Sequence, residues 1–186
     1  GISGIIMADQ LSNKFNIAII ESGDFSLNSK AQELNELIVS GYPIRENYQS
    51  RVRQYGGACN LWPGRSLILN DIDLQQRDWV DGSGWTISSD ELNQYYSLLA
   101  EKYSMFDFSY FDNKSYDDFD DKMYKSIFEG SEFNSIKAGW SKKIARFGKK
   151  SKIFKQLVKN KNITLFKNAT VENLCDVDNT IDSCKI

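Results

Sequence analysis

Apolar residues recur at helical spacing in four segments of the chain, and each segment predicts a helix. The first lies at the amino end and carries Ile5, Ala8 and Leu11 at intervals of three. The others are predicted over 29–39, from Ser88 to about 103, and over about 151–160. The third is the best defined, because Ser88 stands at capping-box spacing from a glutamate.

The apolar stripes of these helices are expected to face a core. In the second helix the stripe is Leu34, Leu37 and Ile38; in the third it is Leu92, Tyr95, Tyr96, Leu99 and Tyr103; in the fourth it is Ile153, Phe154, Leu157 and Val158. Tyrosines at this spacing are more typical of a core than of a substrate platform.

Short apolar runs predict strands between and after the helices. Residues 17–20 read Ile-Ala-Ile-Ile, which is typical of a buried parallel strand, and the segment "NITLF" at 162–166 predicts another. The last stretch, 169–186, predicts a hairpin that turns near Asp178 and Asn179. Residues 44–87 are rich in Gly, Trp and Arg without clear periodicity, and so long a loop predicts a binding function.

Charge is distributed unevenly along the chain. Residues 104–132 carry eight acidic side chains against three lysines, whereas 133–171 carry eleven Lys or Arg and no Asp or Glu. The acidic stretch predicts a solvated excursion, and the basic run from Lys137 to Lys167 predicts a solvated face that compensates it. Because the formal net charge is −2, no nucleic-acid partner is expected.

Composition restricts the chemistry and the location. Cys59, Cys175 and Cys184 form neither a CxxC pair nor an even set, which favours free thiols and a cytoplasmic location and argues against a metal site. No apolar run is long enough to span a bilayer, so no membrane partner is expected. The chain contains no histidine, which removes the commonest general base and every Ser-His or Cys-His pair.

The amino end carries half of a dinucleotide-binding fingerprint. Gly1 and Gly4 run into the first helix, and Glu21 closes the strand that follows, about 20 residues later. In such folds the glycines let a pyrophosphate approach the helix, and the acidic residue accepts hydrogen bonds from the adenosine ribose. With a Gly and one further residue ahead of Gly1 the fingerprint would be complete. We therefore expect the chain to be a fragment, truncated at both ends.

Four ordered motifs follow the fingerprint: "GGACNLWPGR" at 56–65, "DIDLQQR" at 71–77, "GWTIS" at 84–88 and "ELNQYY" at 91–96. Together with Glu21 they resemble the glucose-methanol-choline (GMC) family of flavin-dependent oxidoreductases, over residues 1 to about 103 and, less closely, the final thirty or so. The resemblance implies an α/β fold with a Rossmann-like FAD-binding domain, an inserted mainly helical segment and a C-terminal β-hairpin. It implies the division 1–90, 91–150 and 151–186, in which the first and last parts bind FAD.

The resemblance also implies the activity and the binding residues. The activity is oxidation of the CH–OH group of an alcohol, sugar or polyol, with hydride passing to FAD. The residues placed against FAD are Gly1, Ser3, Gly4, Glu21, Gly56, Gly57, Ala58, Asn60 and Val171. Gly1, Ser3 and Gly4 are expected at the pyrophosphate, Glu21 at the ribose, 56–60 towards the flavin and Val171 at the adenine. The base that the family uses, usually a histidine, has no counterpart here, so no catalytic residue is assigned.

The flavin-side loop departs from the family pattern. Ala58 and Cys59 replace hydroxyl residues, and Pro63 replaces a glycine, so side-chain hydrogen bonds and one N–H donor are lost. Cys59 could act as a nucleophile, although a small residue in a tight loop is the simpler interpretation. Trp62 and Trp85 are candidates for lining the cofactor. Two other classes stay open, an NAD-dependent Rossmann dehydrogenase and a non-catalytic binding module.

Overall fold

The computed structural model describes residues 1–42, 50–105, 139–140, 148 and 151–186. In chain order its helices are α1 (Ile2–Leu11), α2 (Ser29–Glu33), the 3₁₀ turn Gly57–Asn60, α3 (Asp71–Leu74), α4 (Ser89–Tyr103) and α5 (Lys152–Leu157). Its strands are β1 (Ile17–Ile20), β2 (Arg65–Ser66), β3 (Gly139–Trp140), β4 (Ile163–Phe166), β5 (Asn173–Val177) and β6 (Thr180–Lys185). The fold is therefore mixed α/β.

The chain divides into two compact units. The first unit comprises Gly1–Trp62 and Arg146–Ile186, and the second unit comprises Pro63–Ala145. The described residues leave out most of the acidic stretch (106–132). Within the basic run they leave out 137–138, 141–147 and 149–150.

A two-stranded parallel sheet forms the centre of the first unit. β1 pairs with β4 in the register Ile17↔Ile163 to Ile20↔Phe166, which confirms the predicted parallel strand. The pairing continues past the strand ends, where Glu21 N–H donates to Phe166 O (2.9 Å) and Ala169 N–H donates to Glu21 O (3.0 Å). The prediction that β1 is buried is wrong, because β1 pairs only with β4 among the described residues and stays partly exposed.

Helices α1 and α5 supply the apolar core of the first unit. Ile5 and Ala8 of α1 are buried, as their spacing predicted, while Leu11 at the end of the helix is partly exposed. In α5, Ile153 and Leu157 are buried. Val158 was expected inside but is exposed, because the helix ends at Leu157 and Val158 already lies in the following turn.

The second helix is shorter than predicted. Its start is as expected, since the Asn28 side chain accepts hydrogen bonds from the N–H groups of Lys30 and Ala31. The helix ends at Glu33, and the stripe expected to be buried is exposed at Leu34, Leu37 and Ile38. The physical reason lies in the backbone: Asn35 N–H donates to Gln32 O and Glu36 N–H to Glu33 O (both 2.9 Å), three residues back, so the chain continues as turns instead of an α-helix.

The second unit contains α3, α4 and the antiparallel pair β2–β3. Helix α4 confirms the best-defined prediction: the Ser88 hydroxyl accepts the Glu91 N–H (3.2 Å), and Ser104 ends the helix in the left-handed conformation (φ 53°). Its residues were expected to form a core, but none of them is buried, and Tyr95 is 52% exposed. A strong helical pattern here defines the helix without defining a core.

The terminal hairpin forms as predicted. β5 and β6 are antiparallel, and Asp178 and Asn179 at the turn both have positive φ (50° and 60°). Two central residues with positive φ are typical of a type I′ turn, whose twist matches that of the flanking strands. Apolar side chains such as Leu174, Val177 and Ile181 stay exposed on it.

Candidate functional site

The double glycine adopts a conformation that only glycine tolerates easily. Gly56 has φ 92° and ψ −15°, as at the third position of a type II turn, and Gly57 N–H closes the turn by donating to Gln54 O (2.7 Å). Gly57 also has a positive φ of 57°. The sequence folds this way because both glycines have positive φ, a backbone conformation that a residue with a side chain adopts only with strain.

This turn lies directly against the amino end of α1. A Cβ placed on Gly57 would come within 3.2 Å of the Gly1 Cα atom, which is too close for an unstrained contact. The two glycine segments, far apart in the sequence, are therefore in backbone contact. Their contact was not predicted, although both were assigned to one ligand.

A cleft of about 270 Å³ opens beside this contact. It is lined by the predicted residues Gly1, Gly4, Glu21 and Gly56, together with Tyr55. Its apolar walls come from α1 and β1: Ile5, Met7, Ala8, Leu11, Ile17, Ala18, Ile19 and Ile20. All four residues of β1 line the cleft, as expected when a strand presents its backbone edge to it.

Gly1 and Gly4 face open space. A Cβ built on either residue meets no atom of the described residues within 4 Å, so packing against them does not require glycine at these positions. The N–H groups of the first helical turn precede the first intrahelical bond, from Ile5 N–H to Gly1 O, and carry the positive end of the helix dipole. Bare backbone, N–H donors and free space together suit an anionic group.

Glu21 stands where β1 ends, at the rim of the cleft. Its Oε1 atom accepts a hydrogen bond from Gly23 N–H (2.9 Å), which fixes the carboxylate while engaging one of its two oxygens. Gly23 must be glycine, because a Cβ there would collide with the backbone carbonyl of Arg53. The close approach brings the segment before the double glycine next to the end of β1.

Hydrogen bonds hold that segment in place. Arg53 donates to Asn35 Oδ1 (2.8 Å) and to Ser22 Oγ (3.1 Å), and Tyr55 N–H donates to Asp24 O (3.0 Å). These contacts join the chain before the turn to the chain after β1. The turn at Gly56 is thereby positioned by the sheet.

Asn60 stabilises the glycine turn from inside the loop. Its side-chain amide donates to Tyr55 O (2.9 Å) and to Gly57 O (3.0 Å), which uses both amide hydrogens. Gly148 packs against its Oδ1 atom so closely that a Cβ there would collide. Asn60 therefore shapes the turn, and its side-chain donors are occupied within the protein.

Tyr55, which directly precedes the glycines, is the largest fully buried side chain of the described residues. Its ring packs edge-on against Phe154 (centroids 5.1 Å apart) and Phe25 (5.9 Å). Burial, and secondarily the negative charge of Glu21, raise the pKa of the Tyr55 hydroxyl to about 12. The hydroxyl has no hydrogen-bond partner among the described residues.

The remaining predicted residues lie outside this cleft. Ser3 and Ala58 are exposed, and the Asn60 amide donates to Tyr55 O and Gly57 O within the loop. Val171 is 40% exposed and follows Ala169, whose N–H donates to Glu21 O. The cleft thus unites Gly1, Gly4, Glu21 and Gly56, with Gly57 in contact at its end.

Cys59 has the properties of a packed thiol. Burial raises the pKa of the Cys59 thiol, so the neutral thiol predominates near pH 7. This disfavours a nucleophilic role and agrees with the interpretation of a small residue in a tight loop.

Arg53 and Tyr55 of the site were missed in the sequence, and Ser22-Gly23 matches the fingerprint without predicting the contact that Gly23 makes. Gly23 and Arg53 create the close approach between β1 and the loop, and Tyr55 supplies the buried hydroxyl. Tyr55 was detectable as the residue before the double glycine, but its burial depends on Phe25 and Phe154, which are distant in sequence. The contact between Gly23 and Arg53 is tertiary and left no local pattern.

Comparisons with known proteins identify no relative, so the assignment of a function rests on the geometry of the site. The sequence matches no protein-family model, and no curated protein or solved structure is significantly similar to it. Within the described ranges no helix is long and apolar enough to cross a membrane. The same part of the chain holds no cluster of His, Cys, Asp or Glu that could bind a metal.

Proposed function

We propose that this chain contributes the FAD-binding part of a GMC-type oxidoreductase that acts on the CH–OH group of an alcohol, sugar or polyol. The observation that carries the proposal is the backbone contact between Gly57 and Gly1 beside a cleft that also presents Glu21. A Rossmann-like arrangement, with the domain parts 1–90, 91–150 and 151–186, belongs to this proposal. It is supported by the order helix α1, strand β1 and parallel strand β4.

The cleft suits the adenosine and pyrophosphate half of FAD. At about 270 Å³ it is at the small end of ligand sites, so it fits part of a dinucleotide. Gly1 and Gly4 leave room for phosphate oxygens beside the N–H groups of the first turn of α1. Glu21 accepts hydrogen bonds from the ribose, and the left-handed Gly56–Gly57 turn lets the backbone approach the ligand.

When bound, FAD would supply the redox chemistry, as the acceptor of the hydride from the alcohol carbon. The residues of this chain bind and orient FAD and exclude water from one side of it. We assign none of them to proton removal from the substrate, because the chain has no histidine. The partners in this proposal are FAD and a small alcohol or sugar, without nucleic acid or membrane, and the location is cytoplasmic.

The test is a visible spectrum of the protein expressed from its complete reading frame. We expect absorption bands of bound flavin that bleach under anaerobic conditions when a panel of primary alcohols, secondary alcohols and sugars is added. Release of the flavin by acid should return FAD rather than FMN. A nucleotide-free, well-folded protein would contradict the proposal.

Two outcomes would favour the competing classes. A protein that binds NAD in preference to FAD would be an NAD-dependent dehydrogenase. A protein that binds FAD and is not reduced by any alcohol in the panel would be a non-catalytic binding module on a flavin fold. The second outcome is made more plausible by Ala58 and Cys59, which replace hydroxyl side chains in the loop.

A further inference from the structure

Hydrogen bonds from the turn before β4 hold the carboxyl end of α1. Ser12, the residue that follows α1, is 2% exposed. Asn160 Nδ2 donates to Ser12 Oγ (3.0 Å), and Asn162 Nδ2 donates to Ser12 O (2.8 Å). The two asparagines therefore bind two different atoms of one buried residue. We call Ser12, Asn160 and Asn162 the helix clamp.

The two asparagines are themselves fixed by backbone hydrogen bonds. Asn160 Oδ1 accepts the Asn162 N–H (3.0 Å), and Asn160 O accepts the Ile163 N–H (3.1 Å). Asn162 O accepts the Ile17 N–H (2.7 Å), at the point where β1 begins to pair with β4. The residues that hold the end of α1 thus also begin the parallel sheet.

The clamp and the candidate binding residues lie at opposite ends of the same elements. α1 has Gly1 and Gly4 at its amino end and Ser12 after its carboxyl end, while the paired strands begin after Asn162 and end before Glu21. Because α1 has 10 residues, it is about 15 Å long, and a tilt of about 4° at the clamp moves its amino end by about 1 Å. The clamp therefore controls where the first turn of α1 lies relative to Glu21.

We propose that Asn160 and Asn162 are positioning residues of the nucleotide cleft: by holding Ser12 they set the distance between the first turn of α1, assigned to the pyrophosphate, and Glu21, assigned to the ribose. This rests on the proposed function, since it requires a nucleotide that contacts both groups. Neither asparagine lines the cleft. A loosened clamp lowers the fraction of protein whose cleft has the binding geometry, and the apparent dissociation constant rises in inverse proportion.

Replacement of each asparagine by aspartate gives opposite expectations. In Asn162→Asp a carboxylate faces the Ser12 carbonyl, and because neither oxygen carries a hydrogen, the hydrogen bond is lost. In Asn160→Asp the Ser12 hydroxyl turns and donates to the carboxylate, so the bond is kept with donor and acceptor exchanged. Asn160→Leu removes the same bond altogether.

The dissociation constant for FAD is measured on the complete protein by flavin fluorescence, at a temperature well below the melting temperature of every variant. We expect an increase of about 3- to 10-fold for Asn162→Asp and for Asn160→Leu, the effect of one lost hydrogen bond. Asn160→Asp should bind FAD about as tightly as the wild type does. The control Asn173→Asp adds the same charge at an exposed position of β5 and should leave FAD binding unchanged.

Shorter ligands separate positioning from a general loss of stability. Adenosine reaches Glu21 alone, whereas ADP reaches Glu21 and the first turn of α1. The proposal predicts that Asn162→Asp weakens binding of ADP as it does that of FAD and leaves the affinity for adenosine unchanged. Calorimetric titration measures both ligands, and equal weakening of adenosine and ADP would overturn the proposal.

The remaining outcomes separate the two proposals. If Asn162→Asp melts at a lower temperature but binds ADP as the wild type does, the clamp only stabilises the fold and the positioning role is wrong, while the proposed function stands. If Asn162→Asp does not fold, Asn160→Asp and Asn160→Leu decide, and equal ADP affinities in these two would refute the positioning role. If the wild type binds neither FAD nor ADP, both proposals fail.

Discussion

Helix α4 and the glycine-lined cleft represent opposite relations between sequence and structure. α4 has the clearest local pattern in the chain, with an N-cap at Ser88 and regular apolar spacing, yet it buries none of its residues. The cleft rests on glycines, whose local patterns are weak, yet Gly1 and Gly57 are in backbone contact and share a site with Glu21. Regular spacing identifies an element, whereas contacts between distant segments identify a site.

The largest expected effect is a loss of stability, which should differ between a buried residue of α5 and an exposed residue of α4. Leu157→Ala in α5, at 2% exposure, should lower the free energy of unfolding by about 2–5 kcal/mol, because it leaves a cavity. Leu98→Ala in α4, at 40% exposure, should cost clearly less. Urea unfolding of the complete protein measures both. Equal losses would mean that α4 contributes to a core as much as α5 does.

The next prediction separates the effect of backbone strain at a glycine from the effect of contact with Gly1. Gly57→Ala and Gly82→Ala both place a side chain at positive φ (57° and 69°), which costs about 1–2 kcal/mol. At Gly57 the new Cβ also presses on Gly1, whereas at Gly82 it meets no atom of the described residues within 4 Å. We therefore expect both variants to be less stable and only Gly57→Ala to lose FAD affinity. The matching experiment is denaturant unfolding combined with flavin fluorescence titration; loss of affinity in both variants would contradict the account.

The alkaline pH dependence compares a buried tyrosine with an exposed one. The pKa of Tyr55 is raised from about 10 to about 12, so the native state holds its proton while the unfolded state releases it. The resulting stability is fully present below pH 10 and is lost as the pH rises towards 12. Tyr55→Phe lacks this group, so it should gain stability relative to the wild type over this range, while Tyr95→Phe follows the wild type. A difference independent of pH would show that Tyr55 titrates normally.

The smallest expected effect has opposite signs for stability and binding. Gly4→Ala replaces a helical glycine that faces open space, so the ligand-free protein should gain about 0.5–1 kcal/mol. The same methyl group would occupy the approach to the first turn of α1 and weaken FAD binding. Gln94→Ala, on the exposed surface of α4, is the control and should leave FAD binding unchanged. A Gly4→Ala protein with unaltered FAD affinity would place the phosphates elsewhere.

Elements with local determinants were predictable from the sequence. The capping serine of α4, the positive-φ pair Asp178–Asn179 and the apolar run of β1 each define an element through neighbouring residues. α2 was predicted too long, because the chain after it continues as turns, with N–H groups bonded three residues back, which apolar periodicity does not distinguish from an α-helix.

The candidate site was predictable in its parts and not in its assembly. Gly1, Gly4, Glu21 and Gly56 were assigned from motifs, and the structure brings them to one cleft. The close packing of Gly23 on Arg53 joins two distant segments, and no local pattern predicts that contact. The exposure of Tyr95 and the burial of Tyr55 have the same origin, since each depends on which segments pack around the ring.

The central claim is that the glycine-lined cleft binds FAD. Equilibrium titration of the complete apoprotein with FAD, followed by flavin fluorescence, tests it most directly, with Gly57→Val as the cleft variant and Gly82→Val as the matched control. The account predicts saturable binding of one FAD per chain in the wild type and in Gly82→Val, and loss of binding in folded Gly57→Val. Absence of FAD binding in the wild type, or equal binding in both variants, would contradict it.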